Sequence, residues 1–197
     1  MVWCLGIMIK IMHKNKNVLY IDAANLMITA KEFRLEYDLF QLLLYFKDKY
    51  RINKCYYFSG NFSKQKKDFD LLQKYGVDLI LKEVYFDNGK TKANCDVEIS
   101  HQITFDVENN LVEKVILISG DGDFCSLLKY VQGKNINTKL FAIHPKSTSY
   151  LYKRNHGEFD LTYLSQIISR VSIKRKDLAE HVASERLLFD NSNISKL

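Results

Sequence analysis

With 197 residues, 47% of them hydrophobic and 26% charged, the chain can bury the core of one domain and is too apolar to remain an unfolded polyelectrolyte. Twenty-nine Lys and Arg against 23 Asp and Glu leave a formal charge of +6, which suits an anionic partner such as nucleic acid and is also met by an ordinary Lys-rich surface. Cys4, Cys55, Cys95 and Cys125 form no Cys-x-x-Cys pair and the five histidines no His-x-x-x-His face, so neither a zinc site nor a disulfide framework is written here, and buried thiols in a reducing cytosol fit better.

Residues 1–16 read as an extension ahead of the domain. Met1 to Met12 is apolar apart from Lys10, but it is too short to span a bilayer and lacks the basic start and cleavage site of a signal peptide; Met8 and Met12 are alternative starts. No later apolar run approaches ~18 residues, so a soluble, cytoplasmic protein is expected.

From Asn17 the periodicity alternates. Val18 to Asp22 is the first strand, followed by a helical segment clearest from Tyr37 to Tyr50, where Phe40, Leu43, Leu44 and Phe46 recur near helical spacing. Lys54 to Phe58 is the second strand, Phe62 to Tyr75 a helix stopped by Gly76, and Val77 to Val84 the third strand. Asp87, Asn88 and Gly89 mark a turn, and Lys90 to Asn94 reads as a polar loop into a helix from Asp96 to Glu108. Val112 to Ser119 is the most apolar strand and belongs in the centre of a sheet. Phe124 to Val131 is a helix, Asn137 to Ile143 a fifth strand halted before the single proline, Pro145, and Phe159 to Val171 a last helix. Ser172 to Leu197 is a charged tail, read as a loosely docked helix. The alternation predicts an α/β fold, an open parallel sheet of about five strands with helices on both faces.

Ligands of such sheets sit beyond the carboxyl ends of the strands. The first strand ends in Ile21-Asp22-Ala23-Ala24-Asn25 and the fourth in Ser119-Gly120-Asp121-Gly122-Asp123-Phe124. If those strands are neighbours their acids face one another, which is tolerated when a cation or proton separates them. Each motif alone is also met by a helix cap or a tight turn.

Together with Lys92-Ala93-Asn94-Cys95-Asp96-Val97, and in this order and spacing, the two motifs resemble the NYN domain family, and more narrowly its LabA-like branch. The resemblance covers Asn17 to Val171. It implies a PIN-like, three-layer fold and a metal-dependent ribonuclease, with Asp22, Asp96, Asp121 and Asp123 as the catalytic and metal-binding acids. Asn25 matches the family's companion polar residue. Departures from the family pattern are Ala23 for a usual Gly, Gln102 where a further acid is common, and His156-Gly157-Glu158 where an Ala-Asp pair is usual; they bear on how many metals are held.

Hard cations such as Mg²⁺ or Mn²⁺ take oxygen ligands, keep several waters and can activate one of them. Asp22 and Asp121 are expected as direct ligands, with Asp96 and Asp123 ligating or orienting water. Asn25 and Ser119 are expected to hydrogen-bond a phosphate or a carboxylate, and Gly120 and Gly122 to allow close approach of a phosphodiester. Lys90 and Lys92, just ahead of Asp96, are the best candidates for substrate phosphates; Lys64, Lys66, Lys67, Lys146, Lys153 and Arg154 read more readily as solvated charges. Tyr85, Phe86, Tyr150 and Tyr152 are candidates for base stacking, and His101 and His144 read as structural. RNA is expected ahead of DNA as partner, and a homodimer is left open. A non-cleaving nucleic-acid-binding or regulatory module stands as the alternative, whereas a haloacid dehalogenase-like phosphatase would want an acid at Ala24.

Overall fold

The computed structural model describes residues 16–87, 90–92, 94–155 and 157–168. In chain order the first half comprises β1 (Asn17–Asp22), α1 (Ala23–Glu32), α2 (Leu39–Tyr50), β2 (Lys54–Gly60), a 3₁₀ turn (Ser63–Gln65), α3 (Lys66–Lys74) and β3 (Val77–Lys82). The second half comprises β4 (Tyr85–Asp87), β5 (Lys90–Lys92), α4 (Asp96–Glu108), β6 (Lys114–Ile118), a 3₁₀ turn (Gly122–Phe124), α5 (Cys125–Gly133), β7 (Asn137–Ala142), α6 (Tyr150–Arg154), β8 (Leu161–Tyr163) and a 3₁₀ turn (Leu164–Gln166).

The uninterrupted burial of Val18 through Asp22 requires cover on both faces. β1 receives it at the centre of a six-stranded sheet of order β3-β2-β1-β6-β7-β8, every neighbouring pair parallel. Alternate residues of β1 go to opposite sides. Leu19 and Ile21 join Leu42, Leu43 and Phe46 of α2 with Phe69 and Leu72 of α3. Val18 and Tyr20 join Ile99 and Ile103 of α4 with Leu128 and Val131 of α5. The result is the expected α/β architecture, three layers deep.

Three details differ from the sequence expectation. The parallel sheet has six strands where about five were expected. The extra one, β8, lies where a helix was expected from Phe159; a three-residue edge strand is too short to show a period of its own, and Leu161 and Tyr163 pair with Leu140 and Ala142 instead of continuing a helix. Lys90 to Lys92 is not loop but strand, paired antiparallel with β4 so that Asp87 faces Lys90, a spacing typical of Asn-Gly hairpins. Residues 1–15 of the expected extension (1–16), residues 169–171 of the expected last helix and the expected tail, 172–197, lie outside the described residues.

Between the sheet and α4 a buried polar network crosses the otherwise apolar layer. The Tyr20 hydroxyl donates to Asp106 Oδ2 at 2.7 Å, and Gln102 Nε2 donates to Asp106 Oδ1 at 3.0 Å and to the Tyr56 hydroxyl at 3.1 Å. These bonds keep Asp106, 1% exposed, from being an uncompensated buried acid. They also fix the rotation of α4 against β1, and therefore the direction in which Asp96 at its start points.

The strand order determines where a ligand can bind. From β1 the chain runs outward through β2 to β3, then returns to the other side of β1 at β6, so connections diverge between β1 and β6. That divergence opens a crevice at their carboxyl ends. The register pairs Ile21 with Ile118, so Asp22 and Ser119 leave the sheet side by side.

Candidate metal centre

Asp22 ends β1 with an extended backbone and begins α1, a position where an acceptor side chain satisfies a helix's first free N–H groups. Its Oδ1 accepts from the Asn25 N–H at 3.0 Å, and its Oδ2 accepts from the Ser119 hydroxyl at 3.0 Å. Only 6% of the residue is exposed. Burial pushes the Asp22 carboxyl up to about 6; the bonds from Asn25 and Ser119 oppose the rise, and the neighbouring charges of Asp96 and Asp121 add to it.

From β6, the segment Ser119 to Asp123 is held by bonds within itself and from both sides. Ser119 Oγ, besides donating to Asp22, accepts from the Asp121 N–H at 3.2 Å. The Gly120 N–H donates to Asn25 Oδ1 at 2.8 Å, which ties this loop to α1. Asp121 caps its own 3₁₀ turn by accepting from the Asp123 N–H at 3.0 Å, and its carbonyl accepts from the buried Tyr152 hydroxyl at 2.7 Å. The loop carrying Ser149 closes over the turn, with the Ser149 N–H on the Gly120 carbonyl at 3.0 Å. A Cβ built on Gly122 would lie 2.2 Å from Ser149 Oγ and 2.8 Å from its Cβ. The space beside Gly122 is thus filled by the protein's own α6 cap, and this glycine serves that packing, not the expected approach of a phosphodiester. Gly122→Ala is expected to displace α6 or the acidic turn and to lower stability by about 1–3 kcal/mol; a thermal melt that leaves the midpoint unmoved would show that the two loops are not locked together.

Asp96 opens α4. Asn94 holds it from one side, with Nδ2 donating to Asp96 Oδ2 at 2.5 Å and Oδ1 accepting from the Asp96 N–H at 3.3 Å. Lys82, the last residue of β3, anchors this start by donating to the Asn94 carbonyl at 2.8 Å and bridging to Glu98 at 2.9 Å. Partial burial raises the Asp96 carboxyl above the usual carboxylate range; the bond from Asn94 and the charge of Lys82 oppose this, and repulsion from Asp121 and Asp123 adds to it.

Asp96, Asp121 and Asp123 each offer a carboxylate oxygen within 4.8 Å of the others. Ligand oxygens around a small hard cation lie about 3–4 Å apart, so slight side-chain rotation suffices to close on one, and an all-oxygen set selects Mg²⁺, Mn²⁺ or Ca²⁺ over softer metals. Asp22 is not in that trio. It adjoins it, and with two acceptor sites on each oxygen it keeps capacity after both of its hydrogen bonds. Asp22, Asp96 and Asp121 line one cleft of ≈ 450 Å³ with Asn25 and Ser59.

The structure therefore brings all four acids to one place and assigns Asn25 and Ser119 to holding the site together: Ser119 is fully buried and engaged as donor and acceptor, so its partner is a carboxylate, not a phosphate. Lys90 and Lys92 lie on β5, whose hairpin leads directly into Asn94 and Asp96. Of the aromatic candidates, Tyr152 is buried against the acidic turn, whereas Tyr85 and Tyr150 are exposed. His144 stacks on Phe33 at 3.9 Å between ring centres, as expected of a structural residue.

Sequence reasoning missed Ser59, Asn94 and Lys82. Ser59, at the end of β2 and 2% exposed, lines the cleft, and its hydroxyl has no hydrogen-bond partner among the described residues. The signal for it was available: Ser59-Gly60 closes a strand that neighbours β1.

The family model for the NYN domain matches residues 16–160, three quarters of the chain. Among solved structures, a protein of unknown function from Vibrio parahaemolyticus is similar at 25% identity with a TM-score of 0.63, over 78% of this chain and 94% of that one. No curated protein matches.

Proposed function

This chain belongs to the NYN domain family, a family of PIN-like nucleases, and we propose from that premise that it is a metal-dependent ribonuclease of the LabA-like branch. The observation that carries the reading is the convergence of Asp96, Asp121 and Asp123 within 4.8 Å, beside the buried Asp22, at the divergence of β1 and β6. Ionised acids gathered in one cleft repel one another, and a fold retains such a cluster when a cation offsets the repulsion.

Asp96, Asp121 and Asp123 would hold Mg²⁺ or Mn²⁺, with Asp22 as a further ligand or as acceptor for an attacking water. The metal supplies Lewis-acid activation of water and charge neutralisation at the phosphate. The protein's part is positioning. Ser119 and the α1 N-terminus fix both oxygens of Asp22, Asn25 clamps Gly120, Tyr152 holds Asp121 from beneath, and Asn94 orients Asp96. The Ser59 hydroxyl, buried in the cleft wall and without a partner among the described residues, is proposed to bond a water of the site. Lys90 and Lys92, on the hairpin ahead of Asp96, are proposed as backbone-phosphate contacts. The domain is proposed to span residues 17–171, with cytoplasmic residence in keeping with Cys55 and Cys125 buried as free thiols; no described helix is long and apolar enough to cross a membrane.

Single- and double-stranded RNA and DNA, labelled and incubated with the protein and Mg²⁺, Mn²⁺ or chelator, provide the test. Single-stranded RNA is expected to be cut with either ion and spared with chelator. Cleavage undiminished in excess chelator would overturn the metal mechanism, and RNA binding without cleavage under every condition would replace the enzyme with a non-cleaving module.

A further inference from the structure

A second cavity, of ≈ 510 Å³, lies next to the acidic cleft on the α2 and α3 side of β2. Met27 of α1 lines both and forms the partition between them. Its deep wall includes Tyr57, which sits opposite Ile21 in the strand register, one residue before Asp22. Tyr37, Phe40 and Phe69 complete an aromatic lining.

One polar group in this lining is unmatched. Gln65 donates through Nε2 to Met27 Sδ at 3.7 Å, a weak acceptor, while its Oε1 is shielded from solvent and has no hydrogen-bond partner among the described residues. A buried acceptor without a donor keeps the cost of its lost hydration, which a ligand recovers by donating a hydrogen bond to it. Glu36 and Asp68 stand exposed at the rim of the same cavity. Their charge repels a phosphate and accepts from an amino group.

From this geometry we infer that the cavity is a nucleobase subsite, which receives a base flanking the cleaved phosphodiester and favours adenine or cytosine over uracil. The inference rests on the nuclease reading for its substrate. The aromatic rings supply flat apolar contact of the kind against which bases pack. The Gln65 carboxamide, acceptor and donor at once, pairs with the edge of any of these bases, so the preference comes from Glu36 and Asp68, whose carboxylates accept from the amino group of adenine or cytosine and repel the carbonyl that uracil carries in its place. Met27, between base and acids, sets the distance from the subsite to the cleaved bond.

The test compares oligo(A), oligo(C) and oligo(U) of equal length, cleaved by the full chain with Mn²⁺. The kcat/KM for oligo(A) and oligo(C) is expected to exceed that for oligo(U) about tenfold; Glu36→Gln with Asp68→Asn is expected to bring the ratio to about one, and Gln65→Leu, which removes the amide, to lower the cleavage of all three. A second readout needs no catalysis. Adenosine, titrated in chelator and followed by amide NMR, is expected to shift the Gln65 side-chain signal, and uridine to do so only at about tenfold higher concentration. Gln65→Glu keeps an acceptor and is expected to retain part of the adenosine response. Equal cleavage of all three oligomers by the wild type, or an unchanged preference once Glu36 and Asp68 are neutralised, would overturn the subsite and leave the nuclease reading intact. Adenosine binding that depends on Gln65, with no cleavage of any oligomer, would support the subsite and overturn the nuclease.

Discussion

Asp121→Asn is expected to lower metal-dependent cleavage by at least about 100-fold, because even groups one shell outside a metal's ligands cost 10–100-fold when removed. The same substitution is expected to stabilise the metal-free protein, by about 0.5–2 kcal/mol. Both follow from the geometry. Asn keeps the Oδ1 that accepts from the Asp123 N–H, and the main-chain carbonyl that receives the Tyr152 hydroxyl is untouched, so the turn retains its shape. What is lost is one negative charge from the group of Asp96, Asp121 and Asp123. Added Mg²⁺ or Mn²⁺ should raise the wild-type melting temperature with the logarithm of metal concentration, and raise that of the variant less. Melts in chelator and in metal decide the matter. A variant that is less stable without metal, and shifted equally by it, would make Asp121 a structural cap and remove the basis of the site.

Asp22 carries the second large effect, and it depends on pH. Its carboxyl has an ordinary value of 3.8 and stands at about 6 in the folded protein. Between those values the folded state binds the proton that the unfolded state has released, so stability conferred by the protonated form is lost as pH rises from about 4 through about 6. The shift corresponds to a change on the order of 3 kcal/mol. Asp22→Asn stays neutral throughout, so denaturation in chelator should show the variant gaining on the wild type between pH 4 and pH 7. A gap that does not change with pH would show that Asp22 is not the titrating group. With metal the sign reverses, since ligation or proton acceptance needs the ionised form, and metal affinity and cleavage should fall as pH drops below about 6.

The acids were legible because each follows or opens an element whose period is strong. Val18 to Ile21 and Val115 to Ile118 are continuous apolar runs, and an Asp directly after such a run, or after the Ser119-Gly120 pair that follows one, is easily singled out. The neighbourhood of β1 and β6, inferred then only as a condition, is what the strand order supplies. Features resting on contacts between distant segments were not legible. Gly122 is one: its glycine nature pointed to a ligand, and the Ser149 side chain that fills the space comes from 27 positions along, in a loop without periodicity. Tyr152 reads as an aromatic of a basic surface segment until its hydroxyl is seen on Asp121. β8 shows the lower limit of pattern reading, three residues whose pairing with β7 outweighs a helical propensity.

The placement of β1 between β2 and β6 has a consequence for synthesis on the ribosome. β1, β2 and β3, with α1 to α3, are made first and can pair as soon as they emerge, but the Ser119 that holds Asp22 lies 97 residues downstream of it. Until α4 and β6 have left the exit tunnel, Val18 and Tyr20 on the far face of β1 have no partners, and the nascent chain presents an apolar sheet surface of the kind chaperones recognise. The acids remain apart for the same interval. A ribosome translating this protein therefore carries no assembled acidic site until more than half of the chain has been made, and the strand order itself sets the length of that interval.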